Sequence, residues 1–261
     1  MQKGFLINSE PAPFSFLTLP FNPTVSFMVA VSPPAKVLVT GANGYLATWV
    51  VKKYLEAGYS VRGAVRSLTK SAFLNDKFAQ YGDRLELVVV EDITKDGAFD
   101  EAVKGVDAIA HTASPFHYNP THPDGMPNCF WIPILSFIDD QRCSDLIVPA
   151  VQGTLTILNS ALKHGSTLKR VILTSSAVAS LEVTTVPRVF SESTWNEAAV
   201  EAVKTKGIAA GAPIIYFASK TLAEKAAWEF VNAHKSEISW DLAVMNPSLI
   251  LGVRHFCLFL T

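Results

Sequence analysis

An apolar run that breaks into glycines constrains this chain more than any other feature. Lys36-Val37-Leu38-Val39-Thr40 reads as a buried strand, Gly41-Ala42-Asn43-Gly44 as a tight turn, and Tyr45 to Ala57 as a helix stopped by Gly58. Glycine at such a turn permits the bend. It also lets a ligand approach the free N–H groups at the start of the helix, where the helix dipole favours an anion. The alternation continues: strands at 61–66, 85–90, 106–112, 170–175 and 240–246, helices at 71–81, 99–104, 146–164 and 216–234. Strands that alternate with helices imply right-handed crossovers, so the expected fold class is α/β: a doubly wound parallel sheet with helices on both faces.

Composition excludes several classes. Hydrophobic residues make up 49% and charged residues 17%, enough for a large core and too apolar for global disorder. A net charge of -1 with no basic run gives no reason to expect nucleic acid. Cys129, Cys143 and Cys257 fit no metal spacing, and a disulfide framework is not expected. Glu10, Pro11, Pro13, Pro20 and Pro23 break the apolar stretch 5–31, which rules out a membrane helix there. The expected compartment is the cytosol, and no metal and no membrane partner are expected.

The strand ends suggest a dinucleotide. Gly41, Gly44, Tyr45 and Leu46 would meet a pyrophosphate, with Ala47 in place of a third glycine. At the end of the second strand an acidic residue would select NAD by its ribose 2′-hydroxyl. Arg66 stands there, with Arg62 before it and Lys70 after it. A guanidinium clasps a 2′-phosphate, so NADP is the expected cofactor. Asp92 and Ile93, at the end of the third strand, are placed to meet adenine.

A second cluster has a chemical character. Tyr216 and Lys220 lie four residues apart, on one helix face. An ammonium one turn from a phenol favours the phenolate, which turns a poor acid–base group into a usable one. The fifth strand ends in Thr174-Ser175-Ser176-Ala177, where a hydroxyl could hold a substrate carbonyl oxygen. His111 lies inside a strand and reads as a packed residue.

In this order the motifs VLVTGANG (37–44), GYSVRGAVR (58–66), HTASP (111–115), LTSSA (173–177) and YFASKTLAEKAAW (216–228) resemble the extended short-chain dehydrogenases/reductases. The resemblance is to the dihydroflavonol reductase-like group, and within it to fungal NADPH-dependent aldehyde and ketone reductases. It implies a Rossmann fold and reduction of a small carbonyl substrate. It also implies that Tyr216 is the proton donor, that Lys220 supports it and binds the nicotinamide ribose, and that Ser176 rather than Ser175 polarises the carbonyl. Thr112, Ala113, Ser114 and Pro247 would lie near the nicotinamide, and Tyr216 and Lys220 would also touch the cofactor. Leu181 stands where plant dihydroflavonol reductases carry a ring-binding asparagine, so a general carbonyl reductase is expected, as a monomer or weak homodimer. The alternatives are a nucleotide-sugar epimerase or dehydratase and a catalytically impaired NADP-binding truncation product.

The chain departs from the family pattern in three places. Residues 1–35 read as an irregular extension, 36–252 as the NADP-binding domain with an atypical insertion at 125–144, and 253–261 as an atypical tail. Gly125-Met126 and Ser144-Asp145 can be spelled with a GT donor and an AG acceptor, and excision rejoins Asp124 to an Asp-Leu146 run in frame. We read the insertion as a retained intron, Val253-Arg254 as a second donor-like sequence, and Met28 as the start. The expected consequence is a largely missing C-terminal substrate lobe.

Overall fold

The computed structural model describes residues 31–114, 141–184 and 187–252. The extension before residue 31, the insertion from 125 to 140 and the tail from 253 lie outside the described residues.

Strand β1 (Lys36–Thr40) leads into helix α1 (Tyr45–Glu56), then β2 (Ser60–Val65), the short helices α2 (Leu68–Ser71) and α3 (Phe73–Lys77), and β3 (Leu85–Val89). Next come β4 (Ala108–His111), the long helix α4 (Gln141–His164), β5 (Arg170–Thr174), α5 (Glu197–Lys206), α6 (Ala212–Ala233) and β6 (Asp241–Met245). The six strands pair in parallel in the order β3-β2-β1-β4-β5-β6. This is the expected doubly wound sheet. Its order reverses between β1 and β4, and such a switch point opens a crevice at the carboxyl ends of the strands.

The period of two in β1 divides the core. Val37 and Val39 pack with Val51 and Leu55 of α1 and with Leu74 and Phe78. Leu38 faces the opposite layer, with Ile109, Val171, Ile157 and Leu158 of α4, and Phe230 of α6. A third cluster joins Val151 of α4, Val200 and Val203 of α5, and Ala218 and Leu222 of α6. The sheet is thereby buried on both faces, as an all-parallel sheet requires.

Three local expectations change. The helix expected at 71–81 is broken into α2, α3 and a 3-10 stretch, Ala79–Arg84, in which Gly82 has φ +53°. Segment 99–104 forms turns instead of a helix, because Gly97 (φ +73°) and Gly105 (φ +68°) bracket too few residues to carry a helix nucleus. Helix α5 was not expected. Asn196 caps it, its side chain accepting from the Ala199 N–H at 3.0 Å, and Val200 and Val203 fasten it to α6. Residues 141–144, the last part of the expected insertion, form the first turn of α4, which leaves that expectation untouched.

Candidate active site

The crevice above β1, β2 and β4 is a cleft of about 440 Å³. Gly41, Asn43 and Gly44 line one wall, Arg66 and Asp92 another, and Thr112, Ala113 and Ser114 a third. Gly41 has φ +64°, a conformation that favours glycine, and a Cβ there would be in tight contact with Ala113 at 3.3 Å. Gly44 is the N-cap of α1 and supplies no side-chain cap, and the first turn carries no acidic residue. The first N–H groups of α1 are therefore left for a ligand, and the dipole makes that ligand an anion.

Thr40 Oγ1 ties β1 to β4. It accepts from the N–H of Thr112 at 3.1 Å and of Ala113 at 3.0 Å, and lies 3.0 Å from His111 Nδ1. A hydroxyl has two lone pairs and one proton. With both lone pairs engaged, the proton goes to His111 Nδ1, which leaves the imidazole neutral with its hydrogen on Nε2. His111 is 2% exposed, and burial, aided by the Lys220 charge, lowers its pKa from 6.5 to about 3. The packed role expected for it holds.

This buried imidazole makes stability depend on pH. Below pH 6.5 the unfolded chain takes up a proton that the folded chain refuses until about pH 3, so stability is lost as pH falls through that window. The expected slope from this residue is about 1.4 kcal/mol per pH unit. Denaturant titrations between pH 6.5 and 5 check it: the slope should shrink in His111→Gln, and an unchanged slope would contradict this account.

Arg66 is exposed at the cleft rim and makes no ion pair or hydrogen bond among the described residues. Arg62, also considered for the 2′-phosphate, is committed elsewhere. Its Nε donates to Glu86 at 2.6 Å, and its Nη1 to the carbonyls of Ala102 (2.9 Å) and Lys104 (2.7 Å). Lys70 is exposed and does not line the cleft. Asp92 Oδ1 accepts from the N–H and the hydroxyl of Thr94, at 2.9 and 2.7 Å, which fixes the strand-end turn. Ile93 lines the cleft beside it. Tyr45 and Leu46 are not in the cleft wall, and the Tyr45 hydroxyl donates to the Gly252 carbonyl at 2.6 Å.

Helix α6 carries Tyr216 and Lys220 one turn apart, with Lys220 Nζ 5.8 Å from the centre of the Tyr216 ring. The same ammonium donates to Ser114 Oγ at 3.1 Å, which links α6 to the cleft. Burial lowers the Lys220 pKa from 10.5 to about 8, and the group keeps its charge at neutral pH. Ser176 follows β5, is 7% exposed, and caps a 3-10 turn. Its hydroxyl is loosely held, 3.5 Å from the Pro247 carbonyl and 3.4 Å from the Val178 N–H. The Ser175 hydroxyl is buried without a hydrogen-bond partner among the described residues. Pro247 thus meets the Ser176 turn and not the cleft wall.

Sequence reasoning missed Phe99 and Pro149, which line the cleft, and Gly153 of α4. A Cβ on Gly153 would lie 2.8 Å from Ile93 Cδ1. Gly153→Val should therefore lower stability by about 1–3 kcal/mol, since overpacking outweighs the gain in helix propensity. Thermal unfolding checks it, and an unchanged midpoint would show that Ile93 yields freely. Among the described residues no group of three or more acidic, His or Cys side chains could hold a metal. Among those residues no helix is long and apolar enough to cross a membrane.

A six-stranded doubly wound sheet with a glycine turn at its switch point defines a Rossmann-type protein. Residues 37–124 match the NAD dependent epimerase/dehydratase family, and residues 138–255 match the family described as male sterility protein. The chain belongs to the extended short-chain dehydrogenases/reductases. It is 36% identical over 228 residues to ketoreductase azaE of Aspergillus niger, covering 84% of this chain and 58% of that one. It is 37% identical over 222 residues to aldehyde reductase 2 of Sporidiobolus salmonicolor, covering 82% and 57%. The crystal structure of yeast methylglyoxal/isovaleraldehyde reductase Gre2 complexed with NADPH superposes with a TM-score of 0.68 at 31% identity, over 85% of this chain and 60% of that chain. The chain thus spans less than two thirds of the length of these relatives.

Proposed function

We propose that this chain carries the cofactor-binding and catalytic part of an NADPH-dependent carbonyl reductase, which converts an aldehyde or ketone to an alcohol. In this reading residues 36–252 form the NADP-binding unit, and the protein works in the cytosol as a monomer or weak homodimer on a small carbonyl compound. The observation that carries the reading is the contact of Lys220 with Ser114. It brings the Tyr216–Lys220 face of α6 to the end of the nucleotide cleft.

The residues present suit NADPH. The uncapped start of α1 and the close approach at Gly41 suit a pyrophosphate, and Arg66 offers a cation to a 2′-phosphate. Bound NADPH would supply the hydride that reduces the carbonyl carbon. Tyr216 gives its phenolic proton to the carbonyl oxygen, and the Lys220 ammonium stabilises the phenolate left behind. The Ser176 hydroxyl, weakly engaged with its own turn, donates a hydrogen bond to the same oxygen.

The test is NADPH consumption with a panel of aldehydes and ketones, on this chain and on a version extended to the length of its relatives. Oxidation of NADPH that depends on the carbonyl compound is expected. Silence from both proteins across the panel would refute the reading. The family match to epimerases and dehydratases also admits a nucleotide-sugar enzyme, but Arg66 stands where such an enzyme's NAD would call for an acidic residue.

A further inference from the structure

Glu224 lies on α6 one turn beyond Lys220, is 6% exposed, and has no part in the reaction outlined above. No ion pair engages it among the described residues. Its hydrogen-bond partner is the side-chain amide of Asn246, whose Nδ2 donates to Glu224 Oε2 at 2.8 Å. A buried carboxylate left without a donor would be costly, so this bond is held firmly. The same Nδ2 donates to the Ser176 carbonyl oxygen at 3.2 Å. An amide nitrogen carries two hydrogens, and both are used here. Both partners are acceptors, which also fixes which amide atom faces them.

Backbone bonds hold the same turn on either side. The Ser175 N–H donates to the Met245 carbonyl at 2.9 Å, and the Ala177 N–H to the Pro247 carbonyl at 3.0 Å. The helix that carries Tyr216 and Lys220 is thereby joined to the turn that carries Ser176, through a third segment just after β6.

We propose that Glu224 and Asn246 are positioning residues that set the placement of Ser176 relative to the Tyr216–Lys220 face of α6. The proposal rests on the catalytic reading of those three residues. The brace works by hydrogen-bond geometry and not by charge. Glu224→Gln keeps an acceptor for the Asn246 amide, whereas Glu224→Ala removes it. Asn246→Asp turns the double donor into an acceptor that faces a carbonyl and a carboxylate.

Two measurements on the full chain test this. The first is backbone hydrogen exchange, which needs no substrate. In Glu224→Ala and Asn246→Asp, exchange in segments 175–181 and 245–247 should rise about tenfold, with 38–48 unchanged, while Glu224→Gln stays near the parent. Unchanged exchange in the first two variants, or a rise spread equally over 38–48, would overturn the brace. The second measurement is steady-state reduction of the best aldehyde of the panel. Glu224→Ala should lower kcat about tenfold at constant KM for NADPH, because misplacement of a reacting group slows chemistry without loosening the nucleotide. Glu224→Gln should restore kcat. If it is as slow as Glu224→Ala, charge and not the bridge is responsible, and the proposal fails. Absence of turnover in both the parent chain and its extended version counts against the catalytic reading alone, since exchange still decides for or against the brace.

Discussion

Tyr216→Phe should abolish carbonyl reduction, lowering kcat by about 10²–10⁴-fold, the range for loss of a positioned general acid. The substitution keeps the ring, which packs in the cluster between α4, α5 and α6, so the fold should be unaffected. The cleft wall does not include Tyr216, and NADPH affinity measured by fluorescence titration should change only a few-fold. Lys220→Met should repeat the loss of turnover by removing the ammonium that lies 5.8 Å from the ring. Turnover retained in Tyr216→Phe would remove the tyrosine from the mechanism, whatever happened to the lysine.

Arg66→Ala should weaken NADPH binding by about 10–100-fold and leave NADH binding unchanged. A hydrogen-bonded charged partner contributes about 1.5–3 kcal/mol. The prediction is sharp because two arginines of β2 and its end are used so differently. Arg66 stands exposed at the cleft rim, and Arg62 is spent on Glu86 and two carbonyls. Arg62→Ala should accordingly lower stability without altering the preference between the two nucleotides. Equal affinity of the parent chain for NADPH and NADH would remove the reason for assigning Arg66 this role.

The parts of the molecule that were legible in the sequence are those whose cause is local. Four apolar or β-branched residues, Val37 to Thr40, followed by Gly41 and Gly44 can form little other than β1 and its turn. Tyr216 and Lys220 share a face by helix period alone. Helix α5 carries local signals too, the cap residue Asn196 and Val200 and Val203 one turn apart, although the sequence reading placed no helix there. The spacing of Leu74 and Phe78 suggests one helix over 71–81, but the chain leaves α-helical geometry at Phe78 (φ −108°) and only a 3-10 stretch follows. Other features depend on contacts between distant segments. No spacing shows that Gly153 makes room for Ile93, that Pro149 lines the cleft, or that Asn246 bridges Glu224 and Ser176. The reach of Lys220 to Ser114, across 106 positions of sequence, is of the same kind.

The strand order also bears on how the chain reaches this structure. In β3-β2-β1 each pairing joins neighbours in sequence, as Lys36 with Ser60 and Val61 with Leu85. The pairings of β4 with β1, of β5 with β4 and of β6 with β5 each close a much longer loop, as Val37 with Ala108 and Arg170 with Asp241. Long closures are slower because more chain entropy is lost before contacts form. The phosphate-binding half can therefore assemble while the segment that carries Tyr216, Lys220 and Glu224 is still unmade, and the chemical half is completed last.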